Sequence, residues 1–167
     1  VEWTQNYSIG RDTYGESLLQ TVDGGYAIAG WIISGNRDAL LIKTDENGTL
    51  LWTKTYSSGP IDIVSSLIQT VDGGYALGGT TATQSLSDGE GWLVKTDANG
   101  ALQWSQKYGG AKEEEIYAIV QTGDGGYALA GRTMTYASGF YDFWLVKTNS
   151  EGFFQWNKTY GGGGQDA

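Results

Sequence analysis

Asp23-Gly24-Gly25-Tyr26 recurs as Asp72-Gly73-Gly74-Tyr75 and again as Asp124-Gly125-Gly126-Tyr127. Each copy follows a Gln-Thr pair: Gln20-Thr21, Gln69-Thr70 and Gln121-Thr122. Working outward, a single glycine comes next: Gly30, Gly79 or Gly131. Then come Lys43-Thr-Asp45, Lys95-Thr-Asp97 and Lys147-Thr-Asn149, leading to Gly48, Gly100 and Gly152. A tryptophan segment closes each unit: Trp52-Thr-Lys-Thr-Tyr56, Trp104-Ser-Gln-Lys-Tyr108 and Trp156-Asn-Lys-Thr-Tyr160. A fourth version, Trp3-Thr-Gln-Asn-Tyr7, stands before the first unit. A repeat of about fifty residues is the signature of a structure built from identical supersecondary modules.

The spacing shows where the unit tolerates change. From Trp to the Asp of the next Asp-Gly-Gly-Tyr is 20 residues each time (3 to 23, 52 to 72, 104 to 124). From Lys to the following Trp is 9 each time (43 to 52, 95 to 104, 147 to 156). Only the stretch from Gly to Lys varies, with 13 residues in the first unit and 16 in the other two (30 to 43, 79 to 95, 131 to 147).

Each unit reads as two hairpins. Leu18–Thr21 and Tyr26–Gly30 flank Asp23-Gly24-Gly25, a tight-turn signal because glycine accepts positive φ. Ala39–Lys43 and Leu50–Tyr56 flank Asp45-Glu-Asn-Gly48. That predicts four strands, a to d, per unit and negligible helix. The predicted fold is all-β: a β-propeller of four-stranded antiparallel blades, about three in this chain. A β-sandwich does not account for such regular repetition. The predicted boundaries are a lone outer strand at 1–7, blades at 8–56, 57–108 and 109–160, and the start of a further repeat at 161–167. Three blades fall short of the four to eight of a closed ring. Two chains head to tail would give six, with Glu2–Tyr7 surplus at each junction; alternatively the chain is part of a longer propeller, since it starts and ends inside the repeat.

These motifs resemble the Asp-Gly-Gly-Tyr repeat proteins of archaeal and bacterial cell surfaces, over nearly the whole chain. The second hairpin, Lys43-Thr-Asp-Glu-Asn-Gly-Thr-Leu-Leu-Trp52, is similar to the docking repeat of quinoprotein-type propellers. The resemblance implies a propeller and an extracellular or cell-surface location. It implies no particular ligand.

Composition narrows the chemistry. Nineteen Asp and Glu against 10 Lys and Arg give a net charge of −9, which argues against nucleic acid as a partner. No apolar run approaches the roughly 20 residues of a membrane span, so no membrane insertion is expected. Cysteine and histidine are absent, which removes thiolate nucleophiles, His-based triads and most zinc sites. No signal peptide is visible and Val1 is not Met, as expected of a mature or excised piece.

Several groups are candidates for a site. The repeated tryptophans read as wedges between units rather than sugar platforms, because they recur in every unit. Asp45-x-Asn47-Gly48 and Asp97-x-Asn99-Gly100 resemble the start of a calcium loop but lack its later ligands, so they read as turns. Asp38, Glu90 and Asp142 stand 52 apart just before strand c and could form an acidic ring for a cation or basic group. Positions that differ between units are better recognition candidates: Trp31, Thr80 and Arg132, and the b–c loops with Arg37, Tyr136 and Tyr141. Asn6, Asn47 and Asn157 lie in N-glycosylation sequons. The expected function is a non-catalytic module binding a protein or polysaccharide through its variable loop face, with no cofactor and no metal. The alternatives are a structural segment of a surface layer or filament, a quinoprotein-like enzyme, or a carboxylate-based glycosidase.

Overall fold

The structure is a computed structural model that describes residues 4–7, 9–10 and 12–163. Twelve strands follow one another: β1 (Thr13–Gln20), β2 (Tyr26–Ile33), β3 (Arg37–Thr44), β4 (Leu50–Tyr56), β5 (Ile61–Gln69), β6 (Tyr75–Ala82), β7 (Glu90–Thr96), β8 (Leu102–Tyr108), β9 (Glu114–Gln121), β10 (Tyr127–Thr133), β11 (Asp142–Thr148) and β12 (Phe154–Tyr160). The only helical element among the described residues is a 3-10 turn at Leu86–Asp88. The fold is therefore all-β. Within each unit every strand pairs antiparallel with the next, giving β1–β4, β5–β8 and β9–β12. A single parallel bridge, Arg37 to Ile61, joins the first two units into one eight-stranded sheet, while the third unit is a separate four-stranded sheet. Of the lone strand expected at Glu2–Tyr7, residues 1–3 lie outside the described residues, and 4–7 form no strand.

The Asp-Gly-Gly-Tyr motif uses every residue it repeats. In the first unit the Gly24 amide bonds Thr21 O at 2.9 Å and Thr21 N bonds Gly25 O at 2.9 Å, closing the β1–β2 turn. Gly24 has φ 84°, with 82° at Gly73 and 81° at Gly125, a conformation that favours glycine. The second glycine is needed for a different reason. A Cβ on Gly25 would lie 2.2 Å from Thr44 O and 2.6 Å from Lys43 Nζ. Lys43, Lys95 and Lys147 reach under the turn to Asp23, Asp72 and Asp124 at 3.0, 2.8 and 2.8 Å. Each ammonium also donates to the following Thr carbonyl, at 2.8, 2.7 and 2.7 Å. The Lys43 and Lys95 side chains are only 5% exposed, so the bonds replace water that burial removes. The motif thus ties strands a, b and c of its own unit together.

The second turn is closed by its first residue. Asp45 Oδ1 accepts from Asn47 N at 2.9 Å and Thr49 N at 2.7 Å. Asp97 and Asn149 do the same in the other units. These oxygens are engaged by backbone amides, in agreement with the turn reading.

The units stack face on face through two apolar clusters. The first gathers Ala27, Ala29, Ala39, Leu41 and Tyr56 of unit one against Val64, Leu67, Tyr75, Leu77, Trp92 and Val94 of unit two. The second gathers Ala76, Leu93 and Tyr108 of unit two against Ile116, Ile119, Tyr127, Leu129, Trp144 and Val146 of unit three. Each junction repeats the same polar locks. Tyr56 Oη donates to Gly100 O at 2.8 Å, and Tyr108 Oη donates to Gly152 O at 2.7 Å. Trp52 and Trp104 meet Tyr75 and Tyr127 edge to face at 6.0 and 5.7 Å. A Cβ on Gly100 or Gly152 would strike Trp52 at 2.8 Å or Trp104 at 2.5 Å.

The expectation that the recurring tryptophans wedge between units needs correction at one of them. Trp52 and Trp104 do wedge between units, half-buried, but Trp156 is 43% exposed, with no described unit packed on its face. The fully buried tryptophans are Trp92 and Trp144 on the c strands, which fill the junction centres at 1% and 2% exposure.

Two consequences follow. At fixed protein concentration, Trp104→Ala should lower the unfolding free energy by roughly 3 kcal/mol, and Tyr108→Phe by about 1 kcal/mol, read from urea unfolding midpoints. Hydrogen bonds from Thr21 and Lys43 hold the Asp23 carboxyl at about 2. For Asp72, burial acts the other way, but the bonds from Lys95, Thr70 and Gly74 outweigh it and bring the carboxyl to about 2. A carboxyl lowered on folding stabilises above its unfolded value and loses that contribution as pH falls from about 4 to about 2. Asp72→Asn should destabilise by about 1–3 kcal/mol at neutral pH, because Lys95 keeps its burial but loses its anion. Its melting temperature should then fall less steeply than wild type below pH 4; parallel curves would refute this role for Asp72.

Candidate functional site

The antiparallel order puts the start of strand a, the end of b, the start of c and the end of d at one end of every unit. These ends are aligned across the molecule: Arg37 N bonds Pro60 O at 3.0 Å, and Glu114 N bonds Gly89 O at 2.8 Å. The variable Gly-to-Lys segments emerge here, as a three-residue turn at 34–36 and longer loops at 83–89 and 134–141.

In unit one the variable position holds Trp31, directly opposite Tyr14 in the β1–β2 register. Their rings stack at 3.9 Å with 13° between planes, and Tyr14 is 46% exposed. Arg37 places its guanidinium carbon 5.2 Å from the Trp31 ring centre, within cation–π range. Glu16 accepts from Trp31 Nε1 at 3.2 Å. The result is an aromatic pair, Tyr14 exposed and Trp31 half-buried, with a cation and an anion beside it. Trp31 and Arg37 were expected here; Tyr14 and Glu16 were not.

Unit three uses the same position differently. Arg132 ion-pairs with Glu113 at 2.9 Å and Glu115 at 2.9 Å, and its guanidinium lies 4.1 Å from the Tyr141 ring centre. Tyr141 Oη donates to Glu113 at 2.7 Å, and Tyr117 Oη donates to Glu115. Burial works against the Arg132 cation, but Glu115 and its neighbours raise its pKa. The bond to Glu113 raises that of Tyr141. Burial, then the bond to Glu115, pushes the Tyr117 phenol up. This cluster satisfies its own charges. In unit two the equivalent Thr80 is buried.

Asp38, Glu90 and Asp142 do stand in one register position on β3, β7 and β11. They differ in surroundings. Asp38 accepts from Ser34 Oγ at 2.9 Å, Glu90 lies 3.7 Å from Lys107, and Asp142 is 2% exposed and accepts from Ser138 N. Among the described residues, no three acidic side chains come together in a way that could hold a metal ion. Tyr136 is 43% exposed, stacks on Trp144 at 6.0 Å and donates to Gly109 O at 2.9 Å. With Lys107, Phe154 and Asn157 it lines a groove between units two and three. Of the sequon asparagines, Asn6 and Asn47 are exposed and Asn157 is half-buried. No helix among the described residues is long and apolar enough to cross a membrane.

Sequence reasoning also missed Glu113, Glu115 and Tyr117. A signal was present, since the run Glu113-Glu-Glu115 stands one strand away from Arg132.

No family model matches the chain, and no curated protein matches it. Among solved structures it is similar to Sqt1 from Chaetomium thermophilum, at 15% sequence identity and a TM-score of 0.47. The match covers 91% of this chain and spans 37% of the length of that one. At that score the likeness carries no argument about fold or function.

Proposed function

We propose that this chain is an arc of three β-propeller blades serving at the cell surface as a non-catalytic module that binds polysaccharide, or a protein, through its loop end. Three features support the propeller reading. The modules are four-stranded and antiparallel, they stack face on face, and each junction repeats the same locks. The observation that carries the binding reading is the Tyr14–Trp31 stack, in which Tyr14 is exposed and Trp31 half-buried, with Arg37 and Glu16 beside it. Repeated residues are consumed in holding the units together, whereas this group occupies a position that differs in every unit. The corresponding Arg132 is already paired and Thr80 is buried, so unit one offers the free aromatic surface. A flat ring pair beside charged hydrogen-bonding groups suits the apolar face and hydroxyl rim of a sugar. The surface location rests on the resemblance to Asp-Gly-Gly-Tyr repeat proteins and on the exposure of Asn6 and Asn47.

A glycan array probed with the purified chain tests this reading. A defined glycan class should bind, and Trp31→Ala should weaken that binding roughly tenfold or more, a loss of at least about 1.4 kcal/mol. The unfolding midpoint of the variant should stay near wild type. An array with no signal sinks the polysaccharide arm. Binding that survives both Trp31→Ala and Tyr14→Ala sinks the site.

A further inference from the structure

Each junction matches a trailing face of one unit to a leading face of the next. Among the described residues the trailing face of unit three is uncovered, and the leading face of unit one is covered only by the N-terminal segment, where Ile9 packs against Ile32, Leu40 and Ile42. The trailing face of unit three exposes Val120 (57%), Phe143 (56%), Trp156 (43%) and Tyr160 (56%) around a shallow hollow lined by Ala118, Ala128, Ala130 and Leu145. Apart from Gly91, their counterparts in units one and two lie in the apolar clusters or pack against them. The leading face of unit one presents Leu18, 64% exposed, with Ile28, Leu40 and Ile42. We infer that these two faces bind each other between two copies of the chain, head to tail.

Residue sizes exchange along one row of positions. On the trailing faces, strand c carries Ala39 in unit one, Gly91 in unit two and Phe143 in unit three. A Cβ on Gly91 would lie 2.8 Å from Ile116 and 3.2 Å from Trp144, so this position presses on those two residues of the next unit. The corresponding pair facing Ala39 is Val64 and Trp92. Small trailing residues therefore meet large leading ones. On the leading face of unit one the same two positions hold Gly15 and Leu40, both smaller, and a hollow beside them is closed only by Gln5, Asn6 and Tyr7 of the N-terminal segment. The large trailing Phe143 and the smaller leading pair Gly15 and Leu40 thus reverse the inner junctions, where small trailing residues meet large leading ones.

Two polar locks are also set. Val22 N donates to Gln69 Oε1 at 3.0 Å, and Val71 N donates to Gln121 Oε1 at 3.0 Å, each across a junction. Gln20 on the outer leading face holds the same pose, its Nε2 on its own turn carbonyl at 3.2 Å, so its Oε1 is placed to accept the Gly123 amide of a second copy. Tyr160 matches Tyr56 and Tyr108, whose acceptors are Gly100 and Gly152; its acceptor would be Gly48. At present Tyr7 donates to Gly48 O at 2.7 Å, so the N-terminal segment is an internal competitor that Tyr160 displaces. One contact is not repeated: Ser17 and Ser66 accept amides across the inner junctions, but Ala118 stands at their position in unit three. Face pairing stands on these observations. Closure into a ring rests on the propeller reading, in which four to eight blades close and six is the only multiple of three in that range.

Light scattering with the intact chain at micromolar concentration tests the proposal. A fixed mass of twice the chain's 18.0 kDa is expected. Phe143→Glu should give a folded monomer, since Phe143 is exposed within one chain. Gly15→Val tests the size exchange from the other side. Its Cβ would meet only Ile28 Cγ2 at 3.7 Å, so the variant folds but should weaken the dimer roughly tenfold by overfilling the site. Adding Phe143→Ala to Gly15→Val recreates the pairing of Ala39 with Val64 and should restore the dimer. Removing residues 1–7 should tighten it. A wild-type monomer, or a dimer indifferent to both single substitutions, overturns the proposal. A mass that grows with concentration would mean a head-to-tail contact that fails to close, which defeats the six-blade ring and the propeller reading with it.

Discussion

A phenol of one unit bonded to a turn carbonyl of the next is the constraint around which this molecule is arranged. Gly100 and Gly152 are buried where their turns meet the neighbouring outer strand, and an unmet carbonyl there would be costly. Tyr56 and Tyr108 meet them, and burial raises both phenols so that they remain donors. The adjacent tryptophan covers the same glycine closely enough to exclude any side chain. One outer strand thus supplies a hydrogen bond and an aromatic wedge to its successor, and the spacing of both is set by the fixed nine residues from Lys to Trp.

The Asp-Gly-Gly-Tyr turn acts within a unit as the tyrosine lock acts between units. Its aspartate anchors a lysine that crosses beneath strand b from strand c, which pulls three strands into one rigid module. Its tyrosine then meets the tryptophan of the preceding unit. The motif repeats as a block because its four residues serve both tasks at once. Changing one would loosen the unit or its junction. Selection for binding has little freedom there, and the variation lies at the opposite end of the strands.

At that opposite end, the same scaffold position carries three different outcomes. Trp31, half-buried, stacks under the exposed Tyr14, Thr80 is buried, and Arg132 is held by two carboxylates and a tyrosine ring. The open and self-satisfied cases differ in what a ligand would gain. Displacing Arg132 from Glu113 and Glu115 would cost strong charge-assisted bonds, whereas Tyr14 already faces water. The size exchange at Ala39, Gly91 and Phe143 is another local variation on a common plan, and it distinguishes the outer faces from the inner ones.

Read alone, the sequence determined the strand count per unit, the two turns, the antiparallel all-β class and the loop that varies. All of these are local: glycines mark positive φ, aspartates mark turns, and period-two apolar runs mark strands. It also marked Trp31, Arg37, Arg132 and Tyr141 as worth attention, because they break the repeat. The partners of those residues were decided by the tertiary structure. Counting back from the turn at constant register would place Gly15 opposite Trp31 and Ile116 opposite Arg132. A bulge in each first strand shifts the pairing by one residue, so that Tyr14 and Glu115 stand there instead. Gly30, Gly79 and Gly131 accommodate that bulge, since a Cβ on any of them would lie within 1.9 Å of the carbonyl it pushes forward. The glycines were legible as a repeat, but their reason lies in a neighbouring strand. The same holds for tryptophan. Recurrence pointed to Trp52, Trp104 and Trp156 as one class, yet exposure separates Trp156 from the others, because burial of a junction residue depends on whether a facing unit is there to cover it.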